Sequence, residues 1–281
     1  MLATRRHSVT TPYTTVIIAK SQPPSLFRTI RIAILLIILV LVAGSTWLTK
    51  VRTSSWERPL RVAIFPIAGD DSKHTYAYID ELKAETFAPI AKFMAREASR
   101  YGLPLSAPVE VYLAPQIYRR PPDPPFGGNP IQVMLWSLQT RYWAWVNADF
   151  NGPPPHVRMF VLYFDPVTAH TVGHSLGLQK GLIGVINAYS SSYQTEENNV
   201  VIAHELLHTV GATDKYDSDT SEPRFPEGYA QPQSSPLLPQ KYAELMAGRF
   251  PSTSADEPLM PGTLTEVMIG EKTAREINWL R

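Results

Sequence analysis

His204, Glu205 and His208, in the run His204-Glu205-Leu206-Leu207-His208, are the residues best equipped for chemistry. Histidines at i and i+4 leave an α-helix from one face, a turn apart, so their imidazoles can converge on one ion. A catalytic zinc takes about three protein ligands and keeps a fourth position for water. Glu205 lies off the histidine stripe but borders the ion, where a general base must stand to take a proton from zinc-bound water. Beyond His208, Gly211 readily supplies the left-handed conformation that ends a helix and reverses the chain. The reversal can return Asp214 to the ion as a third ligand. Asp217, Glu222 and Glu244 are the other carboxylates open to that role.

The full pattern, His204-Glu205-x-x-His208-x-x-Gly211-x-x-Asp214, resembles the metzincin signature, with aspartate where most members carry a third histidine. This variant is similar to snapalysin-like and immune-inhibitor-A-like peptidases, and Asp214-Lys215-Tyr216-Asp217 resembles the continuation in the latter. The close resemblance is confined to this stretch. A weaker likeness runs to the C-terminus, and the first half of the chain carries none. The resemblance implies an α+β, zincin-like (metzincin) domain with a twisted mixed sheet and an active-site helix. It implies Zn²⁺ held by His204, His208 and Asp214, with Glu205 as catalytic base. It further implies a methionine turn under the metal, with Met246 as the candidate and Met260 as its rival. Substrate is expected along the strand before the zinc helix, residues 182–188, taken as a sheet edge that pairs with an extended peptide. Tyr216, Tyr229 and Tyr242 are candidates to polarise the substrate carbonyl.

Composition narrows the alternatives. The chain has 281 residues, room for one sizeable domain plus extras. A net charge of +1 offers no broad basic field for nucleic acid. The absence of cysteine excludes a thiol nucleophile, a thiolate metal site, a disulfide framework and a cysteine-switch latency device. The 26 prolines predict many irregular loops.

The elements that must position the site follow from periodicity. Residues 30–48 are apolar except for Arg31, Gly44, Ser45 and Thr46, long enough to cross a bilayer as a helix, and Trp47 suits its interface. A cleaved signal peptide would have a shorter apolar part nearer the N-terminus. The expectation is a flexible tail at 1–29, a transmembrane signal-anchor at 30–48, a linker at 49–58 and the zincin-like domain at 59–281. Arg28 and Arg31 before the span nearly balance Lys50 and Arg52 after it. The short tail and large following domain then favour a signal-anchor with the catalytic domain extracytoplasmic, and the absence of an Asn-x-Ser/Thr sequon fits a bacterial cell-membrane protein.

Residues 60–66 read as a strand, and apolar spacing from 75 to 100 predicts a helix kinked at Pro89. A second strand is expected at 108–113, and a proline-rich loop at 119–130. A helix at 131–148 carries Trp136, Trp143 and Trp145, read as core packing. Strands follow at 157–164 and 181–189, with His170 and His174 in the loop between as a possible second metal pair. Thr195 is expected to cap the zinc helix, with Glu196 and Glu197 at its positive end. Ala203, Leu206, Leu207 and Val210 supply its apolar stripe. A long proline-rich loop follows Asp217, and residues 271–279 form a closing helix.

The function these expectations describe is a membrane-anchored zinc metalloendopeptidase, a hydrolase acting on peptide or protein substrates. A catalytically silent, zinc-containing envelope binding module is the alternative from another class. Metal-dependent hydrolysis of a non-peptide amide is the third.

Overall fold

Strand β1 (Leu60–Ala68) is apolar almost without interruption and buried along its length, as a strand covered on both faces must be. The computed structural model describes residues 55–125, 127, 129–169, 171, 173, 175–178, 182–253 and 258–280, with 27, 30–37, 39–40 and 44 of the N-terminal segment. Two units are distinct, Met1–Ser45 and Thr46–Arg281.

In the first unit the described residues are helical and exposed. Among the described residues no helix is long and apolar enough to cross a membrane. Residues 38, 41–43 and 45–48 of the expected span lie outside the described residues, as do the tail through residue 26 and linker residues 49–54.

The second unit is α+β. Its elements are β1, α1 (Lys73–Glu81), α2 (Ala88–Arg100), β2 (Val109–Leu113), α3 (Pro130–Asn147), β3 (Val157–Phe164), β4 (Leu176–Leu178), β5 (Ile183–Tyr189) and α4 (Thr195–Val210). The short strands β6 (Ala243–Glu244) and β7 (Val267–Met268) and the helix α5 (Glu271–Glu276) complete the order. The five-stranded sheet runs β2-β1-β3-β5-β4. The first four strands are parallel, and β4 pairs antiparallel with β5 at the edge.

Alternation along the strands divides the core in two. Val62 and Ile64 of β1, with Met159, Val161 and Tyr163 of β3, face α1, α2 and α4. Ala63, Phe65, Ile67, Phe160 and Leu162 face the other way, towards Ala144 and Trp143 of α3. Within α4, Ala203, Leu206, Leu207 and Val210 all sink into the first of these cores, as their spacing demands.

Two local expectations need correction. The single kinked helix over 75–100 is two helices. Ser72 caps α1 by accepting from the Thr75 N–H at 3.0 Å, and the backbone turns extended at Leu82. A 3-10 turn, Ala84–Phe87, leads into α2. Pro89 sits in the first turn of α2, where its missing N–H costs nothing, so it starts a helix rather than bending one. Among the three tryptophans of α3, Trp136 is buried and Trp143 packs edge-on against Phe160 at 4.9 Å. Trp145 is 79% exposed, because two residues along a helix turn a side chain to the opposite face.

The chain end closes the unit through α5. Trp279 meets Trp56 edge to face at 5.4 Å, and the Trp56 indole N–H donates to the Ile277 carbonyl at 2.6 Å.

Candidate metal centre

The helix α4 is fastened before it presents any ligand. Glu196 and Glu197 lie in its first turn, where the N-terminal dipole favours carboxylates. The expected cap at Thr195 is not its role: Gln194 holds the cap position without a side-chain bond, and Thr195 is already helical. The Thr195 hydroxyl instead donates to the Ser191 carbonyl at 3.3 Å and meets the Tyr78 hydroxyl at 3.1 Å. The preceding 3-10 turn, Ser192–Gln194, feeds straight into the helix and leaves no extended residue to act as a side-chain cap. One turn on, the Asn198 side chain accepts from the Tyr189 N–H and donates to the Tyr189 carbonyl, locking α4 to the end of β5.

Gly211 ends the helix at φ 116°, a left-handed conformation that a Cβ would strain. The N–H groups of Gly211 and Ala212 both return to the Leu207 carbonyl, at 3.1 and 3.0 Å. The reversed chain then delivers Asp214. Its Oδ1 lies 3.2 Å from His204 Nε2 and 3.1 Å from His208 Nε2, and the two Nε2 atoms are 3.1 Å apart. His204, His208 and Asp214 form a group able to hold a metal ion.

The tautomers follow from the other ring nitrogens. His204 Nδ1 meets the Leu245 carbonyl at 2.9 Å, and His208 Nδ1 meets the Ala212 carbonyl at 2.9 Å. A carbonyl only accepts, so both Nδ1 atoms carry the proton, and the neutral rings turn their Nε2 lone pairs inward. Two lone pairs and a carboxylate oxygen about 3 Å apart repel unless a cation, proton or metal, lies among them. Burial opposes a charged His204, but the Asp214 hydrogen bond, the Glu205 charge, the Leu245 carbonyl and the Asp214 charge together raise its pKa to about 9. Burial alone would raise the Asp214 pKa, yet its bonds to the two histidines hold it well below the usual carboxylate range.

Glu205 is buried beside this cluster, and its Oε2 makes no hydrogen bond. Burial raises its pKa, against the pull of His204 and His208. An orphaned buried carboxylate oxygen next to a convergent donor triad fits a metal that carries a water.

The other carboxylates open to the ligand role are engaged elsewhere. Asp217 accepts from the N–H groups of Asp219 and Thr220, Glu222 holds Ser252, and buried Glu244 accepts from Ala247, Gly270 and Thr273. Met246 is fully buried, and its carbonyl accepts from the Lys215 N–H at 2.9 Å. With the Leu245 carbonyl on His204, the 245–246 segment braces both ligand-bearing segments. The rival Met260 is 44% exposed. Of the three tyrosines, Tyr216 adjoins the site. Burial raises its pKa, as do the charges of Asp214 and Glu205 and its hydrogen bond to Asp214. Tyr229 packs on Phe225, and Tyr242 lies under Lys241. His170 and His174 lie outside the described residues.

The expected substrate strand requires correction. β5 is not an edge: β3 pairs with one side, and β4 covers residues 183–185 on the other. The true edge is β4, whose three residues Leu176-Gly177-Leu178 are too few for a periodicity signal. Gly177 faces the metal cluster. A Cβ there would stand 2.5 Å from both the Glu205 carbonyl and His208 Cβ, so only glycine lets the strand cross α4 at this height.

Also invisible in the sequence was a clamp on the ligand loop. Glu276 of α5 accepts from the Thr213 N–H and hydroxyl, both at 2.9 Å, and from Lys215 Nζ at 2.7 Å. It thereby grips the residues on either side of Asp214.

No protein-family model matches the chain, and no curated protein matches it, so the site is read from its own chemistry.

Proposed function

We propose that the chain is a zinc-dependent endopeptidase of the metzincin type, anchored in a bacterial membrane through residues 30–48, with residues 59–281 outside the cytoplasm. One observation carries this reading: two imidazole Nε2 atoms and a carboxylate oxygen, 3.1–3.2 Å apart, with both Nδ1 atoms committed to carbonyls. Two nitrogens and an oxygen, with no sulfur, suit a hydrolytic zinc site. Zinc held there would supply an acidified water and a positive charge beside the scissile carbonyl.

The protein's own groups do the rest. Glu205 takes the proton as water adds to the carbonyl carbon, and returns it to the amine nitrogen as the C–N bond breaks. Its burial strengthens proton retention between those events. The edge of β4 offers main-chain groups to an extended peptide beside the cluster. Tyr216 is the tyrosine best situated to donate to the substrate carbonyl.

The silent binding module is the second reading. A structural zinc is closed by four protein ligands, whereas three converge among the described residues, and the Asp214 side chain is 42% exposed. Those two facts favour the open, hydrolytic reading.

Zinc content and peptidase activity of the full chain, purified without chelator, test the proposal. The expected result is about one zinc per chain, lost in His208→Ala. Glu205→Ala should keep its zinc and lose turnover on the order of 10²–10⁴-fold. Undiminished cleavage by Glu205→Ala removes the base assignment. A folded chain that takes up no added zinc removes the peptidase reading.

A further inference from the structure

The outer face of α3 departs from the rest of the domain surface. Ile131, Leu135, Leu138, Tyr142 and Trp145 recur at helical spacing and are 53–79% exposed. They form one stripe along a helix of 18 residues, about 27 Å long. Tyr142 and Trp145 close it as a pair, ring centroids 6.0 Å apart. The inner face of the same helix is apolar as well, with Trp136 and Ala144 buried. Soluble helices rarely expose so continuous an apolar stripe without a partner.

Two facts indicate what that partner is. From Pro130 to Asn147 the helix holds no aspartate or glutamate, and Arg141 is its one charged residue. No carboxylate on the helix therefore needs desolvating against a lipid headgroup layer, and the aromatic pair suits that layer. The second fact is the tether. Trp56 is buried in the domain, so the chain from 48 to 56 spans at most about 28 Å. That tether enters at the end of the sheet where β1 begins. The C-terminal end of α3 lies at the same end: the chain leaving α3 reaches His156, whose N–H donates to the Arg61 carbonyl at 2.8 Å. The opposite end of α3 lies near the close of β1, where Trp136 donates to the Pro122 carbonyl and Arg120 to that of Ala68.

We propose that the exposed face of α3 docks on the surface of a lipid bilayer. The docking rests on the membrane-anchor reading of residues 30–48, and only its consequence for substrate rests on the peptidase reading. With those residues in the bilayer, the short tether keeps the stripe at high effective concentration beside the headgroups. The consequence concerns substrate class. α3 covers one face of the sheet and α4 the other. Docking through α3 turns the metal centre away from the bilayer, towards proteins in the aqueous phase and not towards membrane-embedded segments.

The chain has no cysteine, so a single introduced cysteine carries a unique probe. Full-length Leu138→Cys, labelled with an environment-sensitive fluorophore, is reconstituted into phosphatidylcholine vesicles that include a nitroxide-bearing lipid. Lys92→Cys, on the opposite face of the sheet, is the control. The expected result is blue-shifted emission and strong lipid quenching at 138, with neither at 92. Adding Leu135→Glu and Trp145→Glu should cut the docked fraction at least tenfold, since each removes a buried large side chain's worth of apolar area. Equal, aqueous emission at both positions in a chain that floats with the vesicles overturns the docking and leaves the anchor standing. A chain that does not float overturns both. Blue-shifted emission at 138 without quenching by the nitroxide lipid also overturns it: dependence on protein density in the vesicles then assigns the stripe to a second copy, and independence assigns it to the chain's own N-terminal segment. The zinc content of the same samples reports separately on the metal centre.

Discussion

The helices α4 and α3 lie on opposite faces of one sheet and reverse the usual distribution of side chains. α4 buries Glu205, Asn198 and Asn199 among its apolar residues, whereas α3 exposes Leu135, Leu138 and Trp145. Each departure has a different physical account. Most polar groups of α4 are held by specific partners: Asn198 by Tyr189, Asn199 through its Nδ2 by Thr86, and the two histidines by carbonyls, while Glu205 Oε2 is left without one. Their burial is supported by bonds that fix direction, which is what a metal site requires. Among the described residues the exposed leucines of α3 have no directional partner, so their account is a surface that asks only for apolar area. A buried carboxylate oxygen without a partner points to a missing ligand, and an exposed apolar stripe points to a missing surface.

The clamp beneath α4 provides the largest expected break in this comparison after the His208 and Glu205 variants. Lys215 is almost fully buried, and its ammonium is paired with Glu276. Glu276→Ala leaves that charge unpaired and should cost about 3–5 kcal/mol in denaturant unfolding. Because Glu276 also grips Thr213, zinc affinity should fall in the variant even where it remains folded. An unchanged zinc affinity would mean that Asp214 is positioned without the clamp.

Paired leucine substitutions sharpen the contrast directly. Leu206→Ala, in the core under the His204–His208–Asp214 cluster, should cost about 2–5 kcal/mol. Leu138→Ala, on the exposed stripe, should stay within about 0.5 kcal/mol for the lipid-free chain. Equal losses would show that α3 is covered in the free protein and that its stripe is not a surface.

The last prediction concerns pH. Metal-free, the His204 pKa is about 9 in the folded chain against 6.5 unfolded. A raised folded pKa stabilises the fold fully below pH 6.5, and that contribution is lost as pH rises through about 9. Zinc bound there would compete with the same proton, so its affinity should climb over that window. Melting temperature with and without zinc, measured from pH 6.5 to 9, checks both trends. A metal-free stability that rises across this range would contradict the geometry around His204.

Much of the site was legible in the chain because its spacing is local. The i, i+4 histidines, the helix-ending Gly211 and the apolar stripe from Ala203 to Val210 each depend on a few consecutive residues. The strands at 60–66, 108–113 and 157–164 and the helix at 131–148 were readable for the same reason. Pro89 was misread because a proline within a periodic run signals either a kink or a new first turn, and only the extended backbone at Leu82 distinguishes them. β4 was invisible because three residues carry no period, and its place at the sheet edge depends on pairing with β5.

The sequence by itself determined a helix with two converging histidines, a neighbouring acid and a reversal that returns a carboxylate. It also determined a chain without thiol chemistry or a basic field, and an apolar segment ahead of the domain. Only the tertiary structure decided which carboxylate meets the histidines, since Asp217, Glu222 and Glu244 differ from Asp214 in their distant partners rather than their type. It alone decided which ring nitrogens face inward, because the Leu245 carbonyl that directs His204 arrives from 41 residues away. It alone left one face of α3 exposed among the described residues, because the second core is filled by its inner face. Local spacing sets what a residue can do. Long-range packing sets which partner it meets, because contacts between distant segments form only when the sheet brings them together.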